Sequence, residues 1–198
     1  MKENNRHMSK KIDIVSLSSG DYNRVYTGRE IARILGINHQ SAHTYLKGLS
    51  SLKVVNKKRV GRNTEYVLNL DNYRTKILLS MAEQSKALKL MNNNTFAVII
   101  QELLGKVETI IVFGSYASGT AKTDSDLDLV IIGALNKNEI KRKLRLYALE
   151  INAEFISYTE FKAALWRKKP LALEILKNHV IFGDADRIID IYWRWHKR

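Results

Sequence analysis

The sequence contains no cysteine and only one proline, Pro170, among its 198 residues. The lack of cysteine excludes disulfides, thiolate metal ligands and cysteine nucleophiles, and it is typical of a reducing compartment. No hydrophobic run approaches the roughly 20 residues that a membrane-spanning helix requires. The polar N-terminal stretch, residues 1–11, also lacks the apolar segment of a secretory signal. We therefore expect a cytoplasmic protein that does not engage a membrane.

Acidic residues are scarce relative to basic ones: 20 Asp and Glu face 33 Lys and Arg, which gives a net charge of +13. Residues 1–73 hold 13 basic and 6 acidic side chains (net +7), and residues 74–198 hold 20 and 14 (net +6). The shorter segment is thus the more basic per residue. This charge indicates a polyanionic partner, because clustered cations displace counterions from phosphate backbones. A generally solubilising surface is the alternative.

Two short helices joined by a tight turn are predicted near the start of the chain. Thr27 and Glu30 form a capping box for the first helix, which ends at Gly36. Asn38 is placed to cap the second helix, which has one apolar and one polar face. This arrangement is typical of a helix-turn-helix, in which the second helix enters the major groove of DNA. The polar residues expected to contact DNA are His39, Gln40, His43, Thr44 and Lys47.

A β-hairpin is predicted next, because residues 53–60 and 64–68 alternate like two strands around a turn at residues 61–63. The hairpin resembles the wing of a winged-helix domain, whose first helix would come from residues 12–17. Residues 1–72 are therefore expected to form a winged helix-turn-helix domain that binds double-stranded DNA. A dimerisation or protein-binding module is the alternative. The basic residues of the wing suit phosphate contacts, and they are Lys57, Lys58, Arg59 and Arg62.

A linker is expected over residues 73–94, most of it a long helix. One heptad-like stripe of this helix, which Gln84 interrupts, carries Ile77, Met81, Leu88 and Met91. Such a stripe indicates core packing, and a homodimer formed through the helix is the alternative. The asparagines at 92–94 end the helix.

The candidate catalytic residues begin at Gly114 and Ser115, where a β-rich run of residues ends. Amide groups and a hydroxyl at such a strand end can receive a triphosphate. Gly119 permits a second tight bend, and an apolar strand follows. Asp126 and Asp128 are two residues apart on that strand, so both carboxylates project from one face and can hold divalent cations.

The stretch from Gly114 to Leu129 resembles the signature of the DNA polymerase β-like nucleotidyltransferases, and most closely that of the minimal nucleotidyltransferases. The departure is Ser118, where the family usually has arginine, so that one phosphate contact is lost or transferred to Lys122. The resemblance implies an α+β fold for residues 95–198, with a palm-like mixed sheet flanked by helices. Nine positions match in register: Gly114, Ser115, Ala117, Gly119, Ala121, Ser125, Asp126, Asp128 and Leu129.

The family places a third carboxylate on a following strand, and residues 152–157 supply Glu154 after an expected helix over residues 137–150. The resemblance therefore implies that Asp126, Asp128 and Glu154 hold Mg²⁺ or Mn²⁺ and act on ATP or another NTP. Glu154 would double as the base. The residues implied to bind the nucleotide are Gly114, Ser115, Gly119, Lys122 and Ser125.

Together, these expectations predict an adenylyltransferase that transfers AMP from Mg-ATP to a hydroxyl acceptor. The enzyme is expected to be fused to a DNA-binding domain. Minimal family members often act as antitoxins that adenylylate a HEPN-type toxin, so the resemblance implies a protein acceptor and an autoregulating antitoxin. A first alternative is a transcription regulator whose nucleotidyltransferase domain senses nucleotide or is inactive, which Ser118 favours. A second alternative is a transferase that modifies nucleic acid.

Overall fold

The computed structural model describes the backbone of residues 2–198 and the side chains of residues 7–198. Two compact units can be distinguished. The first holds the chain up to Ala82 together with His196–Arg198, and the second holds Glu83–Trp195. Helix α4 (Tyr73–Leu90) begins in the first unit and ends in the second.

The first unit combines helices with an antiparallel sheet of strand order β1-β3-β2. Val60 pairs with Asn63, so the hairpin turns over two residues, and Gly61 permits the turn with φ = +57°. This confirms the predicted hairpin, whereas β1 is too short to show any alternation in the sequence. Helix α1 begins ten residues before the predicted stretch. The elements are α1 (Lys2–Ser16), β1 (Tyr26–Thr27), α2 (Gly28–Leu35), α3 (His39–Ser51), β2 (Val55–Val60) and β3 (Asn63–Leu68).

Capping residues fix both ends of α2 and the start of α3, as the sequence predicts. The Thr27 hydroxyl accepts the Glu30 N–H (3.2 Å), and the Glu30 carboxylate accepts the Thr27 N–H (3.5 Å). Gly36 ends α2 in the left-handed conformation, at φ = +60°. The Asn38 side chain accepts the Ser41 N–H (2.7 Å) at the start of α3. The turn between the two helices is therefore set by local sequence.

Three of the four residues of the apolar stripe predicted on α4 are exposed, so the expectation of core packing is wrong for them, whereas Met91 packs against the core of the second unit. The exposed fractions are 47% for Ile77, 38% for Met81 and 72% for Leu88. The helix instead buries the face that carries Leu79 and Ala82. A heptad-like pattern shows that apolar residues share a face, but it does not show which face meets the rest of the chain.

A buried ion pair holds the C-terminal half of α4 within the second unit. Glu83 is 1% exposed, and its carboxylate lies 2.8 Å from the Lys86 Nζ and 3.3 Å from the His179 Nε2. Lys86 also donates to the His179 carbonyl oxygen (2.8 Å). Burial by itself would raise the pKa of the Glu83 carboxyl, but His179 and Lys86 outweigh burial and lower this pKa to about 2. Glu83 is therefore ionised at neutral pH.

The second unit is an α+β fold built around a four-stranded mixed sheet of order β6-β5-β4-β7. Strand β5 is antiparallel to β4 and parallel to β6, and β7 is antiparallel to β4. The α+β class with a mixed sheet is thereby confirmed. The elements that follow α4 are α5 (Asn94–Leu103), β4 (Thr109–Phe113), α6 (Gly114–Ser118), β5 (Leu127–Ile132), α7 (Lys137–Leu144), β6 (Ile151–Ile156), α8 (Tyr158–Trp166), α9 (Pro170–Lys177), β7 (Val180–Gly183) and α10 (Ala185–His196).

Alternate residues of β5 belong to the hydrophobic core of the second unit. Leu127, Leu129 and Ile131 are fully buried in one cluster with Phe96 and Ile100. Side chains at the intervening positions project from the opposite face of the sheet. Across the part of the chain that the structure describes, no helix has both the length and the apolarity needed to cross a membrane.

The helix predicted over residues 137–150 is shorter than expected, because α7 ends at Leu144. Residues 145–149 form turns and bends, in which Leu146 is 81% exposed. Strand β6 runs parallel to β5, so the chain has to return to the end of the sheet where β5 begins. The turns after Leu144 complete this return, which the helical periodicity of the segment could not reveal.

Candidate active site

The acidic pair identified in the sequence lies where β5 begins. Asp126 directly precedes the strand and is exposed, whereas Asp128 lies within it and is half-buried. The antiparallel register places Asp128 opposite Phe113, the last residue of β4. Gly114 follows Phe113 and starts α6 with φ = +65°. The end of β4, the start of α6 and the Asp128 carboxylate therefore meet at one end of the sheet.

Gly114 approaches the Asp128 carboxylate so closely that no side chain fits between them. A Cβ atom added at Gly114 would overlap Asp128 Oδ2 and would lie 3.3 Å from Cγ. The left-handed backbone conformation is a second reason for glycine at this position. Both the space beside Asp128 and the direction of the chain depend on this one residue.

The other oxygen of the Asp128 carboxylate has a partner that the sequence did not reveal. Asn152 Nδ2 donates a hydrogen bond to Asp128 Oδ1 (3.2 Å). The parallel pairing of β5 with β6 explains this contact, because it sets Asp128 opposite Asn152. Only the register between the two strands identifies Asn152, and no local motif marks it. The side chain of Asn152 thus helps to orient Asp128.

Glu154, the predicted third carboxylate, lies on the same sheet face as Asn152 but one repeat further along β6. It is exposed and pairs with Val130. Two strand residues span about 6.6 Å, so the Glu154 backbone is displaced by about that distance along the strand from the pair of Asp128 and Asn152. The longer side chain of glutamate partly offsets this displacement.

A cleft of about 670 Å³ opens beside Asp126. Phe96 and Tyr116 line it with nearly parallel rings, whose centroids are 6.4 Å apart at an interplanar angle of 22°. Glu150 also lines the cleft, and its carbonyl accepts the Leu127 N–H (2.9 Å) next to Asp126. Glu150 is thus an acidic neighbour of Asp126 that the sequence motif did not single out.

The loop after α6 is held by hydrogen bonds to its own backbone. The Ser115 carbonyl accepts the N–H groups of Thr120 (3.0 Å) and Ala121 (3.1 Å). Ser118 Oγ donates to the same carbonyl (3.1 Å) and lies 2.8 Å from Thr120 Oγ1. Gly119 makes the second bend of the loop at φ = +73°. Ser118 therefore supports the shape of the loop and brings no charge to it.

Lys122 and Ser125 form a small turn on the wall of the same cleft. The Lys122 N–H donates to Ser125 Oγ (2.8 Å), and the Ser125 N–H donates to the Lys122 carbonyl (3.1 Å). Both residues line the cleft together with Asp126. Among the described residues of this lining, Lys122 is the one basic side chain.

The donors at this end of the sheet suit a hard divalent cation. Mg²⁺ is usually held by one or two carboxylates together with the phosphates of a substrate. Asp126 and Asp128 supply two carboxylates, and the absence of a side chain at Gly114 leaves room for the loop backbone beside Asp128 Oδ2. Among the side chains of residues 7–198, no group of three or more His, Asp or Glu residues is placed to enclose a metal. Phosphate oxygens would therefore complete the coordination.

The first unit exposes both groups of residues that the sequence assigned to DNA. Helix α3 buries Ala42, Leu46 and Leu49. A cleft of about 170 Å³ brings the groups together, because His39, His43 and Arg62 all line it. The other α3 and hairpin residues assigned to DNA are exposed and do not line this cleft. The exposed side chains are His39, Gln40, His43, Thr44 and Lys47 on α3, and Lys57, Lys58, Arg59 and Arg62 on the hairpin.

Comparison with known proteins finds a family model that matches part of this chain. Residues 94–187 match the family model described as a nucleotidyltransferase domain. A solved structure described as a toxin–antitoxin with AMP-PNP shows 21% identity, covers 52% of this chain and 84% of that chain, and has a TM-score of 0.34. TrmBL2, an archaeal chromatin protein described as showing a novel mode of DNA binding, shows 10% identity, covers 94% and 90%, and has a TM-score of 0.27. No match is found among the curated proteins.

Proposed function

From the nucleotidyltransferase domain at residues 94–187, we propose that the second unit transfers AMP from Mg-ATP to a hydroxyl group. The observation that carries this proposal is the close approach of Gly114 to Asp128 at the end of β4. A nucleotide phosphate held by the loop would lie beside the carboxylates that bind its cation. This arrangement joins the two requirements of nucleotidyl transfer, which are phosphate binding and charge neutralisation.

Asp126 and Asp128 are the residues that would hold Mg²⁺ or Mn²⁺, with phosphate oxygens of the nucleotide completing the coordination. When bound, the cation neutralises the triphosphate and lowers the pKa of the acceptor hydroxyl. The acceptor oxygen attacks the α-phosphorus of ATP, and the bond from that phosphorus to the pyrophosphate leaving group breaks. Glu154, which is exposed on the same sheet face, takes up the proton of the acceptor.

The nucleotide is bound by the loop and by the wall of the cleft beside Asp126. Gly114 and Gly119 give the loop its two bends, and Ser115 supplies a hydroxyl and backbone groups near the first bend. Lys122 and Ser125 contact the phosphates from the cleft wall. Lys122 thereby supplies the positive charge that arginine supplies at the position of Ser118 in the family.

A protein is the proposed acceptor, and a HEPN-type toxin is its proposed identity. The resemblance of the Gly114–Leu129 motif to minimal nucleotidyltransferases supports this choice, because such enzymes modify the toxin with which they are paired. The protein would then act as an antitoxin in the cytoplasm, a setting that its lack of cysteine supports.

The first unit is proposed to be a winged helix-turn-helix that binds double-stranded DNA, by which the antitoxin represses its own synthesis. The order α1, β1, α2, α3, β2, β3 and the three-stranded sheet support this proposal. The exposed polar face of α3 and the basic hairpin provide base and phosphate contacts. Exposed Ile77 and Met81 on α4 support a homodimer, which would match two DNA half-sites.

Transfer is tested with ATP labelled at the α-phosphate, using the protein alone and together with the product of the neighbouring gene. Label is expected on protein in the presence of Mg²⁺ or Mn²⁺. Asp126→Asn should abolish labelling, because it removes a carboxylate that binds the cation. Asp186→Asn, which makes the same charge change on an exposed residue of α10, should not. Equal labelling by both variants would refute the role of Asp126.

A complete absence of labelling would favour the alternative of a regulator with a nucleotide-sensing domain. Ser118 is the observation that favours this alternative, because it brings no charge to the loop. Binding of ATP that changes DNA affinity, without any transfer, is the result expected for such a regulator.

DNA binding is tested by gel shift with the DNA upstream of the gene. Lys58→Glu combined with Arg59→Glu should weaken binding and flatten its dependence on salt, because fewer counterions are released. Lys137→Glu combined with Lys177→Glu changes the net charge equally on the second unit and serves as the matched control. If both double variants bind alike, the hairpin is not a DNA-contacting wing.

A further inference from the structure

The outer edge of β6 has no partner strand within residues 2–198. The Glu150 carbonyl accepts the Leu127 N–H, and backbone groups alternate in direction along a strand, so the even-numbered residues of β6 face β5. The backbone groups of Ile151, Ala153 and Phe155 consequently face outward. No backbone group of the described residues bonds to them from that side. The edge is therefore free to pair with another strand.

A cleft of about 500 Å³ lies along this open edge. Ile151 and Ala153 of β6 form its apolar floor, and Lys141 of α7 and Arg145 of the following turn form its basic wall. Glu150 is the one carboxylate in the described lining. Because side chains alternate along a strand, a strand added to β6 would direct every second side chain into this cleft.

The edge cleft adjoins the cleft beside Asp126. Ala148, Leu149 and Glu150 line both of them. An extended chain advances about 3.3 Å per residue, so a segment that leaves the β6 edge near Ile151 reaches the second cleft within a few residues. A segment bound along β6 is thus well placed to present its next residues to the acidic pair.

We propose that the open edge of β6 binds an extended, acidic segment of the protein acceptor as an added strand. This proposal rests on the proposed transfer to a protein. The outward backbone groups of Ile151, Ala153 and Phe155 provide main-chain hydrogen bonds. Lys141 and Arg145 select acidic side chains through charge complementarity. The hydroxyl to be modified lies beyond the bound strand, in the cleft beside Asp126.

Binding is tested with a fluorescent copolymer of glutamate and tyrosine, by anisotropy with the full chain. A copolymer of lysine and tyrosine is the charge control and should not bind. Ala153→Pro removes an outward N–H and places a ring on the edge, without removing a hydrogen bond to β5. Its affinity for the acidic copolymer should fall about tenfold, the effect of losing one or two backbone hydrogen bonds. Because Ala153→Pro changes no charge, the electrostatic attraction of the acidic copolymer to other basic surfaces of the protein stays the same.

The basic wall is tested by Lys141→Glu combined with Arg145→Glu, which should weaken binding about tenfold or more. Lys137→Glu combined with Arg142→Glu is the matched control, because it changes the same charges on α7 outside the cleft lining. This control should remain within about twofold of the parent chain. Equal losses in the two double variants would show that only overall charge matters, and would overturn the proposed selection by Lys141 and Arg145.

Hydrogen exchange followed by NMR gives a readout that requires no substitution. The amides of Ile151, Ala153 and Phe155 should exchange more slowly when the acidic copolymer is bound. No binding to the parent chain, unchanged exchange of these amides, or unchanged affinity of a folded Ala153→Pro variant would each overturn the docking proposal. If the copolymer binds at the edge but label is never transferred from ATP, the transferase proposal fails while the peptide site stands.

Discussion

Replacing Gly114 by alanine tests whether the nucleotide loop must lie against Asp128. The added Cβ overlaps Asp128 Oδ2, so the carboxylate has to move by on the order of 1 Å to restore an ordinary contact. The left-handed φ of +65° also costs an alanine about 1–2 kcal/mol. That cost should lower the melting temperature by only about 3–15 °C. Displacing a catalytic group by about 1 Å should lower the transfer rate about 100-fold.

Gly105→Ala separates the two effects, because Gly105 also has a left-handed φ, of +90°, but nothing lies within 4 Å of an added Cβ. Both variants should lose similar stability in thermal unfolding. Only Gly114→Ala should lose transfer of label from ATP, measured as initial rates at a temperature where both are folded. A Gly114→Ala variant as active as Gly105→Ala would show that the close approach to Asp128 has no part in function.

Three further predictions concern single side chains. Asn152→Asp should tighten the binding of Mn²⁺ about tenfold in the absence of nucleotide, because a carboxylate replaces the amide beside Asp128. An unchanged Mn²⁺ affinity in an EPR titration would show that residue 152 does not lie beside the cation site. Glu83→Ala should destabilise the second unit by about 3–5 kcal/mol in urea unfolding at neutral pH. Since the pKa of Glu83 is lowered from 4.5 to about 2, its contribution to the free energy of unfolding is complete above pH 4.5 and is lost as the pH falls through about 2. If the free energy of unfolding changed with pH in the same way for the parent chain and the variant, this prediction would be contradicted. Thr27→Ala should cost the first unit about 1 kcal/mol by removing the capping box, and no change in urea unfolding would refute that role.

Features fixed by neighbouring residues could be predicted from the sequence. The capping of α2 by Thr27 and Glu30 and the hairpin turn at Gly61 depend on contacts within a few positions. The sequence likewise located Asp126 and Asp128 at the start of β5, although only Asp128 lies within the strand. Each of these signals comes from residues close together in the chain.

Features that depend on distant pairing could not be predicted. Asn152 contacts Asp128 only because β6 pairs with β5 in one particular register. The early end of α7 at Leu144 follows from the return of the chain to the start of a parallel strand. The exposure of Ile77 was missed because a periodic apolar stripe does not state which side of a helix is covered. In each case the deciding partner lies far away in the sequence or belongs to tertiary packing.

Double labelling of ATP tests the central proposal most directly. With Mg²⁺ and a protein acceptor, label at the α-phosphate should appear on protein, while label at the γ-phosphate should leave as pyrophosphate. Asp128→Asn should abolish both events and leave the protein folded. Transfer of the γ-label to protein, or unchanged transfer by Asp128→Asn, would contradict a nucleotidyltransferase built on this acidic pair.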